Sequence, residues 1–243
     1  MKALRRIAPS LPITAALSQV AKPLALSLPT TVICILLALP IAFRVRLMKR
    51  QRALTTILLL PMTLGTVLVA QGLLTYLGPH GWFNRLLLLL HITGEPLLLT
   101  NNYWGVFASL VLTGFPFTFL LTLSYVSGID PALEEAAATL GARAWDRFLR
   151  IYLPLLAPGL AVTFCLSFVQ FFSVFPSAVL LGAPAGSTHV IAIAAYQAAF
   201  EQYNYSLGSA IAMIMGAVQL VIVIAVLASR QLFYRGPVGG TKG

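Results

Sequence analysis

Charge is confined to a few short segments of this chain. Residues 23–43, 53–84, 96–129, 151–200 and 202–229 contain no Lys, Arg, Asp or Glu. Each stretch matches or exceeds the roughly 20 residues a helix needs to cross a bilayer. Backbone groups in hydrocarbon must be paired within their own segment, and no run of short alternating strands suggests a barrel. The pattern predicts an all-α membrane protein with about five transmembrane helices. The spans are expected near Leu24–Phe43, Ala53–Leu77, Trp104–Val126, Leu156–Leu181 and Leu207–Leu227.

The polar gaps define the connections. Gly78-Pro79-His80-Gly81 opens a loop containing a short apolar piece, Leu86 to Leu90, which is too short to cross and which Glu95-Pro96 ends. A turn cluster runs from Gly182 to Thr188, followed by a short helix over Val190 to Phe200. Trp82, Tyr103, Trp104, Tyr203, Tyr205 and Tyr234 fall near span ends, where amphipathic rings favour the interface. Residues 1–22 form a lead carrying Pro9 and Pro12, a poor sixth span; an exposed, partly ordered lead is preferred to a cleavable signal peptide. Residues 23–234 then form one membrane domain, with a loop at 130–154, and 235–243 form a tail.

The net charge of +10 sharpens this topology. Arg44, Arg46, Lys49, Arg50 and Arg52 share one gap; Arg143, Arg147 and Arg150 share a second; Arg230, Arg235 and Lys242 follow the last span. These groups are separated by whole pairs of spans, so a single topology keeps 11 of the 16 basic residues on the cytoplasmic side. Charges divided between loops and lacking stacking aromatics argue against a nucleic-acid partner. Cys34 and Cys165 lie within spans and read as packing residues, while His80, His91 and His189 lack metal-ligand spacing. No Ser/His/Asp or Cys/His arrangement points to catalysis, and no phosphate-cradling G-x-x-x-x-G-K-[ST] loop is present. The expectation is therefore neither catalytic residues nor a metal site. Polar side chains inside spans are costly and often functional, which makes Gln71, Gln170 and Gln219 candidates for a substrate pathway or for helix–helix hydrogen bonds.

The segment EEAAATLGARAWDRFLRIYLPLLAPG, residues 134–159, breaks the apolar pattern most sharply. Asp130-Pro131 reads as an N-cap followed by proline at the first helical position, with Glu134 and Glu135 near the positive end of that helix. Leu133, Ala136, Ala137 and Leu140 make an apolar stripe, and Gly141 suits a left-handed cap. A second amphipathic stretch sets Trp145, Phe148, Leu149 and Tyr152 against Arg143, Asp146, Arg147 and Arg150, with Asp146–Arg150 a favourable i,i+4 pair. Two short helices flat on the cytoplasmic surface are expected, with Pro154 marking entry into the next span.

Glu135-Ala136-Ala137, Gly141, Ile151 and Leu153-Pro154 satisfy the spacing EAA-x3-G-x9-I-x-LP. This loop resembles the EAA loop of permease subunits of bacterial binding-protein-dependent ABC importers of type I. The phrases SLPTTVICILLALPIAF and ILLLPMTLGTVLVAQGLL are similar to the spermidine/putrescine-like branch. One departure is that many members carry a further N-terminal span. The resemblance implies the type I importer permease fold, with the EAA loop forming a cytoplasmic coupling helix. Glu134, Glu135, Ala136, Ala137 and Gly141 would then dock an ATPase subunit, while Ile151, Leu153 and Pro154 fix the following helix.

The same resemblance implies a multi-pass protein of the bacterial inner (plasma) membrane, in contact with lipid and itself non-enzymatic. Its expected partners are a second permease (the same or a related chain), two ATP-binding subunits that carry ATP and Mg, and a soluble substrate-binding protein. A polyamine or similar small solute is the expected substrate, with thiamine, phosphonates and ferric iron also fitting. A secondary transporter or channel subunit not driven by ATP is the alternative, although inverted repeats and intramembrane charge are not evident. A membrane-embedded enzyme would need clustered catalytic groups.

Overall fold

The computed structural model describes residues 13–91, 95–97, 99–182 and 190–233. The lead's first twelve residues, most of the turn cluster ending at Thr188 and the tail at 235–243 lie outside these. The described residues are helical and contain no strand. Four helical spans, Ala21–Val45, Tyr103–Ser127, Ala144–Phe172 and Tyr205–Ser229, are long and apolar enough to cross a membrane, and a bent pair over Gln51–Leu89 makes a fifth.

Helix α1 spans Ile13–Val45 and contains Pro23, Pro29 and Pro40. It begins well before Leu24, so part of the expected lead is helical. Proline removes the hydrogen bond to the carbonyl four residues back. At Pro29 the freed carbonyl is that of Ala25, and the Tyr103 hydroxyl donates to it at 2.9 Å. The loss within one helix thus becomes a bond to another, as an environment without water requires.

After the turn at 46–50, α2 covers Gln51–Thr63 and α3 Gly65–Leu77, with an 86° bend between Gln51–Thr63 and the run Gly65–Leu89. Gly65 has φ +76°, which glycine adopts without steric penalty. The short apolar piece forms α4, Trp82–Leu89, and α5 runs over Tyr103–Ser127. The loop helix α6 is Pro131–Thr139, and α7 is Ala144–Arg147. A wide π turn over Phe148–Tyr152 then joins α7 to α8, Leu153–Phe172. After a break, α9 covers Pro176–Leu180 and α10 Ile191–Tyr196, the latter continued by a π turn over Gln197–Glu201; α11 is Tyr205–Phe233.

Two expectations are corrected here. The fourth span does not run unbroken to Leu181, because Pro176 disfavours the helical region for the residue before it, and Phe175 sits at φ −123°, ψ −56°. Nor is the second amphipathic stretch a separate surface helix, since α7, the π turn and α8 are continuous. Pro154 would interrupt a regular helix, but in the π turn the Leu153 N–H reaches back to the Phe148 carbonyl and absorbs the mismatch.

Helices α1, α5 and α8 form the packed centre. At one end Leu26, Val106, Leu110, Ala178, Leu181 and Val190 cluster with Ala70 of α3. At the other, Ala38, Ala42, Val45, Phe119, Val126, Tyr152 and Leu156 pack together, with Leu54 and Leu58 of α2 against them. The bent α2–α3 pair therefore connects the two ends. Cys34 and Cys165 are buried and free, as packing residues. α11 lies at the periphery, its Ile211, Met215, Val218 and Ile222 facing Phe168 and Phe172 of α8.

Candidate functional site

The basic gap at 44–52 and the loop at 130–152 meet at one end of the bundle, and Arg46 is where they meet. This residue follows the last residue of α1 and is 6% exposed. Its Nη1 donates to the Val126 carbonyl at 3.0 Å, at the end of α5, where unpaired carbonyls give a helix its partial negative charge. Nη2 donates to the Tyr152 hydroxyl at 3.2 Å and lies 3.7 Å from Glu134 Oε2. The guanidinium also sits over the rings of Phe43 and Tyr152, 5.9 and 5.4 Å from their centroids. Glu134 receives two further partners: Arg147 Nη1 at 3.3 Å, and the Tyr152 hydroxyl, which donates to Oε2. Four segments of chain (the ends of α1 and α5, the loop helix α6, and the α7–α8 junction) thus converge on one carboxylate and one guanidinium.

Local sequence explains how α6 is held. Asp130 accepts a hydrogen bond from the Ala132 N–H at 2.9 Å, and Pro131 occupies the first helical position, where its missing N–H costs nothing. At the other end Gly141 N–H donates to the Ala138 carbonyl at 3.0 Å, and Ala142 N–H to the Ala137 carbonyl at 3.1 Å. That pairing is a Schellman cap, and Gly141 supplies the left-handed residue it needs with φ +78°.

The amphipathicity of α6 is inverted relative to the bundle. The charged Glu134 turns inward to Arg46, while the apolar stripe turns out: Leu133 and Ala136 are exposed, and Leu140 is 88% exposed. Glu135 is exposed beside them. Trp145, 68% exposed, stacks on Phe148 at a centroid distance of 5.6 Å and extends this apolar surface. The expected Asp146–Arg150 pair is present at 4.0 Å. Ile151 is half-buried in the π turn, and Leu153 and Pro154 lie exposed at the start of α8.

Of the candidate pathway glutamines, Gln219 donates to Ser173 Oγ at 2.7 Å and to the Val169 carbonyl at 3.3 Å, bonding α11 to α8. Gln71 is exposed on α3, and Gln170 is half-buried on α8. Among the described residues no hydrogen bond joins the three. Sequence reasoning placed Arg46 in a basic gap and Arg147 and Tyr152 on an amphipathic stretch, but gave none of them a bond to Glu134. Arg46 was one of five basic residues in its gap, and only its place one residue past the helix end distinguished it.

Known proteins resemble this chain in sequence and in fold. The family described as "Binding-protein-dependent transport system inner membrane component" matches residues 34–236. A probable sulfate transport system permease protein from Prototheca wickerhamii is 30% identical over 175 residues, 72% of this chain and 66% of that protein. A spermidine/putrescine transport system permease protein from Haemophilus influenzae is 32% identical over 154 residues, 63% of this chain and 54% of the relative. A maltose/maltodextrin transport system permease protein from Vibrio vulnificus is 37% identical over 149 residues, 61% and 49% of the two chains. The chain thus spans about half to two thirds of the length of these relatives. A chain of a bacterial alginate ABC transporter, solved with a periplasmic protein bound to an alginate pentasaccharide, superposes with a TM-score of 0.76 at 24% identity, covering 91% of this chain and 80% of that one. One from the MetNI methionine ABC transporter does so at 0.69 and 15% identity, covering 89% and 95%. With the family match across most of its length, this chain belongs to the inner membrane components of binding-protein-dependent transport systems.

Proposed function

We propose that this chain is the membrane-spanning permease subunit of an ATP-driven ABC importer, with α6 as the helix that docks a cytoplasmic ATPase subunit. The observation that carries the reading is the outward apolar stripe of α6, with Leu140 88% exposed beside the exposed Glu135 and a fixed glycine exit. Burying a leucine side chain contributes ~1.5–3 kcal/mol, so a partner surface there gains substantially by covering it. The loop from 130 to 152 lies on the cytoplasmic side in this reading, and ATP and Mg belong to the partner subunits. A second permease copy or a related chain completes the pathway. A soluble binding protein delivers the solute at the opposite end, where Glu201, Gln202, Tyr203 and Tyr205 are exposed.

The substrate is a small solute, with a polyamine-like cation put first by the likeness of residues 27–43 and 57–74 to the spermidine/putrescine branch. Uptake of labelled putrescine measured against labelled sulfate tests that choice.

Gly141 tests the docking role. A Cβ there would meet nothing within 4 Å, so the only penalty of a substitution is the backbone at φ +78°. Forcing a β-branched residue into that region costs roughly 1–3 kcal/mol, whereas Asn tolerates it. Gly141→Val is expected to lose the co-purifying ATPase subunit at normal membrane abundance, and Gly141→Asn to keep it. Equal retention by both variants would count against docking through α6.

A further inference from the structure

The two adjacent glutamates of the loop helix point opposite ways. Glu135 is exposed, while Glu134 is gripped by Arg46, Arg147 and Tyr152. A helix that only presented a surface to a partner would need no such grip. Its N-cap, first-turn proline and Schellman cap already hold its shape. What those local devices cannot set is where the helix sits relative to the bundle. Among the described residues, the ion pairs and side-chain hydrogen bonds that join α6 to the transmembrane helices run through Glu134.

Arg46 has the chemistry for such a tie. A guanidinium is a planar fork with several donors in fixed directions, able to hold three acceptors at once. Here it donates to the Val126 carbonyl and the Tyr152 hydroxyl, pairs with the Glu134 carboxylate, and lies within cation–π reach of the neighbouring Phe43 and Tyr152 rings. Displacing α6 would strip a nearly buried cation of its counter-charge, a costly state in a low-dielectric setting. Moving α6 together with the ends of α1, α5 and α8 keeps every bond.

We infer that Glu134 is the internal anchor of the coupling helix and that Arg46, with Tyr152 and Arg147, latches it to the ends of α1, α5 and α8, so that movement imposed on α6 is passed directly to those helices. Glu134 is thereby a positioning residue, while Glu135 and the leucine stripe face the partner. This rests on the reading of α6 as the ATPase-docking helix.

The test uses the full-length chain in nanodiscs with its ATPase subunits attached. An environment-sensitive fluorophore placed through Tyr203→Cys reports the far end of the bundle. Adding ATP and Mg is expected to shift its emission in the parent protein. In Arg46→Gln and Glu134→Gln that shift should fall by about tenfold, the loss expected when a charge-assisted bond is removed. ATPase retention should stay normal. The double variant should be less impaired than the two single losses combined, because both substitutions remove the same ion pair. Arg46→Lys should restore part of the signal, since an ammonium reaches Glu134 but cannot fork to all three acceptors. Tyr152→Phe removes one hydroxyl while keeping the ring, and provides a mild variant should the charge changes impair folding.

An undiminished shift in both Arg46→Gln and Glu134→Gln, or no shift in the parent, overturns the latch. Release of the ATPase from these variants also overturns it, by making Glu134 a docking residue. Failure of docking itself would show separately, as unchanged retention in Leu140→Asp.

Discussion

Asn84 is fully buried, and its side chain is saturated. Its Nδ2 donates to the carbonyls of Gly78 at 2.9 Å and Leu97 at 3.0 Å, while its Oδ1 accepts from the Leu97 N–H at 2.9 Å. One amide thus replaces a missing piece of secondary structure, tying the exit of α3 to the segment before α5. Asn84→Leu keeps the volume but orphans these backbone groups, at ~1–3 kcal/mol for each one left unpaired. The expected outcome is a lower unfolding midpoint in detergent and faster proteolysis between residues 78 and 102; an unchanged digestion pattern would contradict it. Nothing in the sequence marked Asn84, because an asparagine beside a Gly-Pro turn usually signals only the turn. Gly141 was legible for the opposite reason: its requirement is local, a left-handed residue closing a helix, and local requirements leave their trace in local sequence. Arg46 and Tyr152 are 106 residues apart, and no periodicity reports a bond between them.

Between elements, the tightest fit is the seam of α5 against α8. Gly114 of α5 receives the ring of Phe171, and Gly159 of α8 receives the ring of Tyr125. Each helix offers the other one notch and one aromatic, in an antiparallel exchange. The Thr118 and Ser167 hydroxyls bond across the same seam at 2.9 Å. Lipid tails are as apolar as leucine, so such close approach and interhelical bonding, not hydrophobicity, must hold the pair. A Cβ on Gly114 would fall 1.8 Å from Phe171 Cε1. Gly114→Ala is therefore expected to destabilise the protein by roughly 1–3 kcal/mol through overpacking, and Phe171→Leu added to it to recover part of the loss. Thermal unfolding of the single and double variants decides this; simple additivity would dismiss the notch. The spans themselves were readable because length and absence of charge are one-dimensional properties. Their partners were not, since a glycine in a span does not reveal which ring fills it. The break after Phe172 was missed although Pro176 announced it, because the surrounding run has no charge to interrupt the apolar signal.

At the scale of the whole molecule, the two clusters and the ties between distant segments sort the chain into two ends. Arg46, Val126, Glu134, Arg147 and Tyr152 lie at one, and Ala25, Asn84, Tyr103 and Ala178 at the other. The basic gaps belong to the first, and the excess of positive charge in short loops leads us to propose that this end faces the cytoplasm. With a membrane-impermeant thiol reagent applied from outside, Lys49→Cys is expected to stay unmodified and His80→Cys to react; the reverse would invert the topology. The bend between α2 and α3 has a consequence of its own. An unbroken helix such as α5, with 25 residues, spans roughly 37 Å and can carry axial load along its length. The α2–α3 pair connects the same two ends but breaks at Gly65, where Gln51–Thr63 and Gly65–Leu89 meet at 86°, and a strut with an elbow folds under compression instead of transmitting it. On the proposed docking of an ATPase at α6, thrust entering beneath the bundle would travel along the unbroken α1, α5 and α8, while the elbow would yield sideways and leave room for them to tilt.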